Sequence, residues 1–545
     1  MPWMDNQSRR ALRWAEIWDR FRPLTPMGQR AKKALSPFMP TEVATWECHL
    51  DEQERCLKRA EQDPDWESRV GESLSRIPDV EPVVTQLERG GVPPIVGWFR
   101  LKALVWHGRK LAAEWPLGER ESILRDRKAW EAVWRIVNPG PVAQPSFALD
   151  DALDPRLSSL RRKVAQWERE RMDAEEERAR EVERQHHVRR NRDGEWIVER
   201  ESVPYRALLS DPRVERVRET PFEGVFRPLG TDRGRQAFSR RQQAEEELEQ
   251  VEQEVLASLA EQMRPHLHNL RQMLLEVVRI DLQWARIQTA REWNGIRPRL
   301  DADAFRLEGA VHPLTASALA RQGRTFTPLD VTIDRGATVV IGPNMGGKTM
   351  AIKTVGLIAA LGQFGFFVPA RSCRMPLVSW IRAVIGDGQD ERDGLSTFAA
   401  EVVRVAEGMN RTDGGLLLLD EVGRGTNPDE GAALAAAVAE ALAASPFWSF
   451  QSTHFREVLE VAGIRIYRTA GLKNPHTWKD DGGVSVDYRL LPGAGEGVPR
   501  QALLIAEGLG LAPNVLEGAR RRIKGTLLRE EEGDGSQTAV GRKSD

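Results

Sequence analysis

The sequence contains few cysteines and no long apolar run. Its three cysteines, Cys48, Cys56 and Cys373, are odd in number and are not spaced like zinc ligands, so neither a disulfide framework nor a structural zinc site is expected. The longest apolar stretch, Leu357 to Val368, is broken by glycine and glutamine and falls short of the roughly 20 residues that a membrane helix needs. The opening residues, MPWMDNQSRR, lack the apolar segment of a signal peptide. These absences predict inert thiols, no membrane span and a cytoplasmic protein.

Neither sign of charge dominates the chain. Lysine and arginine together number 79 and aspartate and glutamate 81, which leaves a formal net charge of −2 at pH 7. A global basic field that would indicate nucleic acid is therefore missing, although a local basic face remains possible. The 545 residues are enough for several domains with sizeable cores.

The character of the chain changes near residue 300. Before it, the apolar residues recur at helical spacing; after it, strand-like and helix-like runs alternate. We expect a helical core region at 1–145, long helical arms with a small β element at 146–299, an α/β domain at 300–526, and a disordered tail at 527–545.

Two long helices are predicted before residue 300. One begins at Pro155, and the other runs from about Arg240 to Trp293 and contains Pro265, which should kink it. Helical patterns beyond about 25 residues suggest a coiled coil or a lever, and a plain helix-bundle core is the alternative. Between them, Asp193-Gly194 is typical of a hairpin turn and precedes a strand-like run.

Residues 337–349 read ATVVIGPNMGGKT and match the phosphate-binding pattern G-x-x-x-x-G-K-[ST]. A β-rich run precedes the loop and a helix-like run follows it, as the motif requires. Backbone N–H groups and the helix N-terminus would hold the phosphates. Lys348 would reach the β- and γ-phosphates and act in catalysis, and Thr349 would ligate Mg²⁺. The predicted nucleotide-binding residues of the loop are Gly342, Pro343, Asn344, Met345, Gly346, Gly347, Lys348 and Thr349.

A second motif, LLLLDEVGRGT, covers residues 416–426. Four consecutive leucines are typical of a strand buried on both faces of a parallel sheet. Asp420 would then stand at the carboxyl end of that strand, where open α/β sheets bind their ligands, and would hold Mg²⁺. Glu421 would orient or deprotonate the attacking water. The alternative is that both acidic residues merely end a strand.

Two further residues are candidates for the same site. His454, in the run STHF, is expected to end the next core strand and to sense the γ-phosphate; a structural histidine is the alternative. Ser396, in the run GLSTF, is predicted to begin a helix. It is either a plain helix cap or part of an anion-binding helix end that meets a phosphate presented by another subunit.

In this order, GPNMGGKT, GLSTF, LLLLDEVGRGT and STHF resemble the MutS family of DNA-mismatch-repair ATPases. The resemblance is strong over roughly 300–525 and weaker over the helical half, which looks like the family's core, lever and clamp regions. It implies an α/β ABC-type P-loop ATPase domain that follows a mainly α-helical region. It also implies an ATP hydrolase that uses ATP and Mg²⁺ and works as a homodimer, with the Ser396 helix of one subunit completing the site of the other.

The sequence departs from the mismatch-recognising members of that family. Those proteins carry an N-terminal domain with an F-x-E wedge, whereas the sole F-x-E here is 455–457, inside the expected ATPase domain. The chain resembles more the second MutS subfamily, which lacks that domain. Members of that subfamily usually end in a Smr nuclease domain, which we do not expect here.

Three functions remain to be compared. The first is an ATP-driven clamp on DNA in mismatch repair or recombination, with phosphate contacts from a basic cluster near the arm tip. That cluster comprises His186, His187, Arg189, Arg190 and Arg192. The alternative is a protein-remodelling reactivase for an adenosylcobalamin-dependent aminomutase. A dead structural dimer is the third, and the intact motif residues argue against it.

Overall fold

The computed structural model describes residues 2–116, 118, 122–140, 147–343, 346–386, 397–472, 486–493, 503, 506–507 and 510–522. Most of the proline-rich segment at 139–145 and the whole tail expected at 527–545 lie outside these ranges. Within them, no helix is both long and apolar enough to cross a bilayer.

The chain begins with short and medium helices, most of which are separated by proline-containing turns. In chain order they are α1 (Asn6–Ala11), α2 (Trp14–Trp18), α3 (Pro26–Lys33), α4 (Val43–Gln62), α5 (Trp66–Ser75), α6 (Glu81–Glu88), α7 (Ile95–Glu114) and α8 (Arg127–Val137). Most of α4–α8 surrounds an apolar core that contains the buried rings of Trp66, Trp98 and Trp130.

A long arm follows. Its elements are α9 (Arg156–His186), β1 (Trp196–Glu199), α10 (Val203–Ser210), β2 (Val214–Glu219), β3 (Glu223–Pro228), α11 (Asp232–Met263) and α12 (Leu267–Glu292). Ion pairs join Arg156 to Glu254 and Arg241 to Glu168, so α9 and α11 run antiparallel. The 31 residues of α9 extend the arm by about 46 Å.

The two long helices and the kink are confirmed, with a different start for the second helix. Thr231 caps α11 by accepting a hydrogen bond from the Gly234 N–H, so the helix begins eight residues before the expected Arg240. Pro265 lies in a single 3₁₀ turn, Arg264–His266, that separates α11 from α12. The proline therefore interrupts the helix as expected, because it lacks a backbone N–H and its ring clashes with the preceding turn.

The predicted small β element is also present at the arm tip. Strands β1, β3 and β2 form an antiparallel sheet in that order. Trp196 and Phe226 face each other across β1 and β3, and with Tyr205 and Leu208 from α10 they pack on the end of α9. The tip thus has its own core, separate from that of the helical region.

The remainder is an α/β domain. Its elements are β4 (Arg299–Leu300), β5 (Ala304–Ala310), α13 (Pro313–Arg321), β6 (Leu329–Asp334), β7 (Gly336–Ile341), α14 (Lys348–Gln363), β8 (Ser372–Met375), β9 (Ile381–Val384), α15 (Thr397–Met409), β10 (Leu416–Asp420), α16 (Pro428–Ala443), β11 (Trp448–Thr453), β12 (Arg465–Leu472) and β13 (Val486–Pro492).

Two sheets form this domain. The larger has the order β13-β12-β7-β11-β10-β9, parallel except for β13, and the smaller has the order β4-β8-β5-β6. The register pairs Asp420 with Ser452 and Thr453 with Ile341. Because parallel strands end at the same edge, β7, β10 and β11 bring their carboxyl ends together there.

The first helices pack on this α/β domain. Met4 pairs with Ile381 at the end of the large sheet, and the rings of Trp14 and Phe21 contact Phe364 and Phe366 respectively. The sequence predicts a division near residue 300, with 1–145 as one helical region. The packing joins the opening residues to the apolar core of the α/β domain instead.

Candidate nucleotide-binding site

The loop between β7 and α14 begins directly after a fully buried strand. Gly347 has φ +84°, and α14 starts at the next residue. A Cβ on Gly342 would lie 2.1 Å from Thr469 Oγ1, and one on Gly347 would lie 2.8 Å from Tyr488 Cδ1. The loop is therefore packed too closely against β12 and β13 to carry side chains at these glycines. Asn344 and Met345, also predicted here, lie outside the described residues.

Lys348 is buried inside the loop. Its Nζ donates to the carbonyl oxygen of Gly342 at 2.7 Å and to that of Pro343 at 3.1 Å. The same nitrogen lies 3.0 Å from Glu421 Oε1. The ammonium group is thus held at the start of α14, where the unpaired N–H groups of the helix also point, and this end favours negative charge.

Thr349 and Asp420 meet as the motifs predict. The Thr349 hydroxyl donates to Asp420 Oδ2 at 2.7 Å, and the Ser452 hydroxyl donates to Asp420 Oδ1. Two hydroxyls and one carboxylate therefore lie side by side at the carboxyl end of β10. Oxygen atoms of this kind are the ligands that Mg²⁺ prefers.

Glu421 is held in an unusual backbone conformation. Its φ is +54°, in the left-handed region that side chains other than glycine rarely adopt. The backbone N–H of Glu421 lies 3.1 Å from both the carbonyl oxygen and the hydroxyl of Ser452. Its carboxylate is buried against Lys348 Nζ and lies 3.4 Å from Arg424 Nη1. Strained residues of this kind are concentrated at functional sites.

His454 lies next to this carboxylate. Its Nδ1 is 3.8 Å from Glu421 Oε1, beyond hydrogen-bond distance, and its ring packs on Phe455. Partial burial lowers the pKa of His454 below its usual value, while the nearby Glu421 opposes that shift. The imidazole is therefore mainly neutral at pH 7. The structure brings Lys348, Thr349, Asp420, Glu421 and His454 together, as the sequence predicted.

Ser396, the last predicted residue of the site, lies outside the described residues. The helix that follows it, α15, begins at Thr397. Its Glu401 side chain accepts a hydrogen bond from the Gly423 N–H at 3.0 Å, so α15 contacts the segment that follows Glu421.

Sequence reasoning missed three residues of the site. Thr469 on β12 and Tyr488 on β13 pack closely against the predicted phosphate-binding loop, and Glu401 holds the turn after β10. Thr469 and Tyr488 belong to none of the four motifs described above, and the strand order brings them to the loop. Glu401 carried a weak signal, because it lies one helical turn after GLSTF.

The predicted DNA contacts need a correction. His186 Nε2 lies 2.7 Å from Asp211 Oδ2, and Arg190 pairs with Glu176 and Glu183 of α9. These two side chains are mostly buried and hold the tip on the arm, so they are not free to meet phosphates. His187, Arg189 and Arg192 remain exposed.

Comparison with known proteins finds relatives in the family that the motifs resemble. Residues 338–524 match the family model described as MutS domain V. Over 529 residues, or 93% of this chain, the sequence is 29% identical to a DNA mismatch repair protein MutS of Thermus thermophilus, of which 60% is covered. These matches support membership of the MutS family.

MutS2 proteins also match. The chain is 33% identical over 308 residues to an Endonuclease MutS2 of Synechocystis, with 51% of this chain and 36% of that protein covered. It is 34% identical over 291 residues to an Endonuclease MutS2 of Thermotoga petrophila, with 52% and 36% covered. The chain thus spans between about one third and three fifths of the length of these MutS-family relatives.

Proposed function

We propose that this MutS-family chain is an ABC-type P-loop ATP hydrolase that works as a homodimer and couples hydrolysis to clamping on DNA in mismatch repair or recombination. The observation that carries the proposal is the convergence of Lys348, Thr349, Asp420 and Glu421 at the carboxyl ends of β7 and β10. Each of these side chains suits one task in phosphoryl transfer.

The residues fit a nucleoside triphosphate with Mg²⁺. The N–H groups at the start of α14 would bind phosphate oxygens, and Lys348 adds a positive charge there. The paired oxygens of Thr349 and Asp420 would hold the metal, which when bound neutralises charge on the β- and γ-phosphates.

Glu421 is the residue that would orient and deprotonate the attacking water. Its carboxylate lies beside Lys348 Nζ, so a water placed between it and the γ-phosphate would be oriented by an acceptor, and its proton would pass to Glu421. The neutral imidazole of His454, 3.8 Å from Glu421, would donate to a phosphate oxygen, or donate to or accept from the same water.

The dimer completes the site in this proposal. Ser396 and the start of α15 would meet the phosphates bound by the second subunit, because helix N-termini favour anions. Val402 and Val403 of α15 are exposed, as expected for a surface that a second copy covers.

DNA is the proposed client of the arm. The relatives described above are named for DNA mismatch repair or for endonuclease activity, which favours DNA over a protein client such as an aminomutase. The exposed cations His187, Arg189 and Arg192 at the tip would contact phosphates without reading sequence.

The test is a measurement of phosphate release and DNA binding by the same purified protein. The proposal expects Mg²⁺-dependent ATP hydrolysis, weakened ATP binding in Lys348→Ala, and affinity for duplex or branched DNA that falls steeply with salt. Undetectable DNA binding at low salt in the presence of an ATP analogue would remove the DNA part. Absence of ATP binding would remove the whole proposal.

A further inference from the structure

The turn after β10 is held by α15, the helix that begins within the GLSTF motif. Glu401 Oε1, on α15, accepts a hydrogen bond from the Gly423 N–H at 3.0 Å. A Cβ on Gly425 would lie 3.4 Å from Phe398 Cβ, so the same helix also packs on the next part of the turn. The first two turns of α15 therefore fix the segment that begins with Glu421.

This segment has little room to adjust. Glu421 and Gly423 both have positive φ, at +54° and +84°. A Cβ on Gly423 would lie 2.7 Å from the carbonyl oxygen of Gly431, so the turn also packs against the start of α16. Val422, between the two, is buried. Reorienting the Gly423 amide would therefore move Glu421, because only Val422 separates them.

The half-buried position of Glu401 is unfavourable for a charged carboxylate, which loses hydration there. Burial raises the pKa of Glu401, and the hydrogen bond from Gly423 opposes that shift. A half-buried carboxylate is tolerated where a polar partner compensates for lost hydration, and here the backbone N–H of Gly423 is that partner.

We propose that Glu401 is a positioning residue for ATP hydrolysis: it ties α15 to the Gly423 amide and so holds the Glu421 carboxylate beside Lys348. This inference rests on the proposed function, because it assumes that Glu421 acts on the attacking water. Since α15 follows Ser396 directly, a shift of this helix when a second subunit engages it reaches Glu421 through Glu401.

The variants distinguish an effect of losing the Glu401–Gly423 hydrogen bond from an effect of damaging the fold. Glu401→Leu keeps the volume and removes the acceptor, whereas Glu401→Gln keeps an acceptor oxygen without the charge. Glu407→Leu is the matched control, because Glu407 is an exposed residue of the same helix. Glu401→Ala replaces the leucine variant if thermal unfolding shows that the latter does not fold.

For each variant, steady-state ATPase gives kcat and KM, and titration with a non-hydrolysable ATP analogue and Mg²⁺ gives Kd. We expect Glu401→Leu to lower kcat by about tenfold with Kd within about twofold of wild type, the signature of an interaction used in the transition state. Glu401→Gln and Glu407→Leu should keep most of the wild-type kcat.

An unchanged kcat in Glu401→Leu would overturn the inference. So would equal losses in the leucine and glutamine variants, or a kcat that falls only in proportion to nucleotide binding. Wild type and Glu421→Gln are assayed in the same series: if wild type hydrolyses ATP and Glu421→Gln does not, the ATPase part of the proposed function stands even where the Glu401 inference fails. If wild type is inactive, both fall.

Discussion

Thr349 and Asp420 lie 71 residues apart in the chain and share a hydrogen bond of 2.7 Å. The two motifs predicted the pair, because a P-loop threonine and a strand-end aspartate would serve the same metal. At this residue scale, the motifs predicted the side chains that the structure brings together at Thr349, Asp420 and Glu421. Thr469 and Tyr488 carry no such signal, since their importance is steric: each occupies the space that a Cβ on a loop glycine would need.

Thr349→Val tests the metal pair. Valine has nearly the same shape and removes the hydroxyl that faces Asp420. We expect the Mg²⁺-dependent part of ATP affinity to fall by about tenfold or more, since about 1.4 kcal/mol corresponds to a factor of ten and hydrogen bonds to charged groups contribute about that much. Titration with and without Mg²⁺ measures it.

Thr354→Val is the control for that experiment. Thr354 lies on the same helix, is buried, and donates its hydroxyl to the carbonyl oxygen of Met350 at 2.7 Å. This variant should bind ATP with the same Mg²⁺ dependence as wild type. Equal effects of the two substitutions would mean that Thr349 acts on helix stability and not on the metal.

At the scale of elements, the backbone preferences of single residues predicted the features that depend on local sequence alone. The kink at Pro265 and the tight turn at Asp193-Gly194 follow from the backbone preferences of these residues. The expected hairpin is wrong, because this turn joins α9 to β1 and not two strands. The partner of an apolar stripe is not encoded in its spacing, so the packing of Trp14 against Phe364 could not be predicted. The pairing of Arg190 with two glutamates of α9 was missed for the same reason.

The exposed arginines at the arm tip lead to a prediction about DNA binding. The double variant Arg189→Ala with Arg192→Ala removes two exposed charges. DNA affinity should therefore weaken by a similar factor for different DNA sequences. The slope of log affinity against log salt concentration should decrease by roughly one unit per lost phosphate contact. Salt titrations of DNA binding measure this. An unchanged affinity would exclude these arginines as contacts.

Arg190→Ala is the comparison. Because Arg190 is ion-paired within the arm, its loss should leave the salt slope of DNA binding unchanged. Partly buried pairs of this kind are worth more than exposed ones, so the tip should instead become more susceptible to proteolysis. A reduced salt slope without loosening of the tip would reverse the assignment.

At the scale of the whole molecule, α14 joins the candidate site to the helical region. The helix begins at Lys348 in the site, and its far end is contacted from α4. Trp46 Nε1 donates to the carbonyl oxygen of Gly362 at 2.8 Å, and the Gln53 amide donates to that of Gly365. A shift of α14 on nucleotide binding would therefore reach α4 directly.

Gln53→Leu tests this connection. The variant removes a buried hydrogen bond, which costs about 1–3 kcal/mol in stability where the acceptor is left unpaired. We expect ATP hydrolysis without DNA to stay near the wild-type rate and the response of that rate to DNA to be reduced. Gln62→Leu, at the exposed end of the same helix, should behave as wild type. A normal DNA response in Gln53→Leu would exclude this route.

The central claim is that the Glu421 carboxylate, held beside Lys348, drives ATP hydrolysis. The most direct test compares wild type with Glu421→Gln in a single experiment that follows bound ATP and released phosphate with Mg²⁺. The account predicts similar ATP retention and phosphate release slower by about a hundredfold or more, as for loss of a general base. Equal turnover by the two proteins would contradict it.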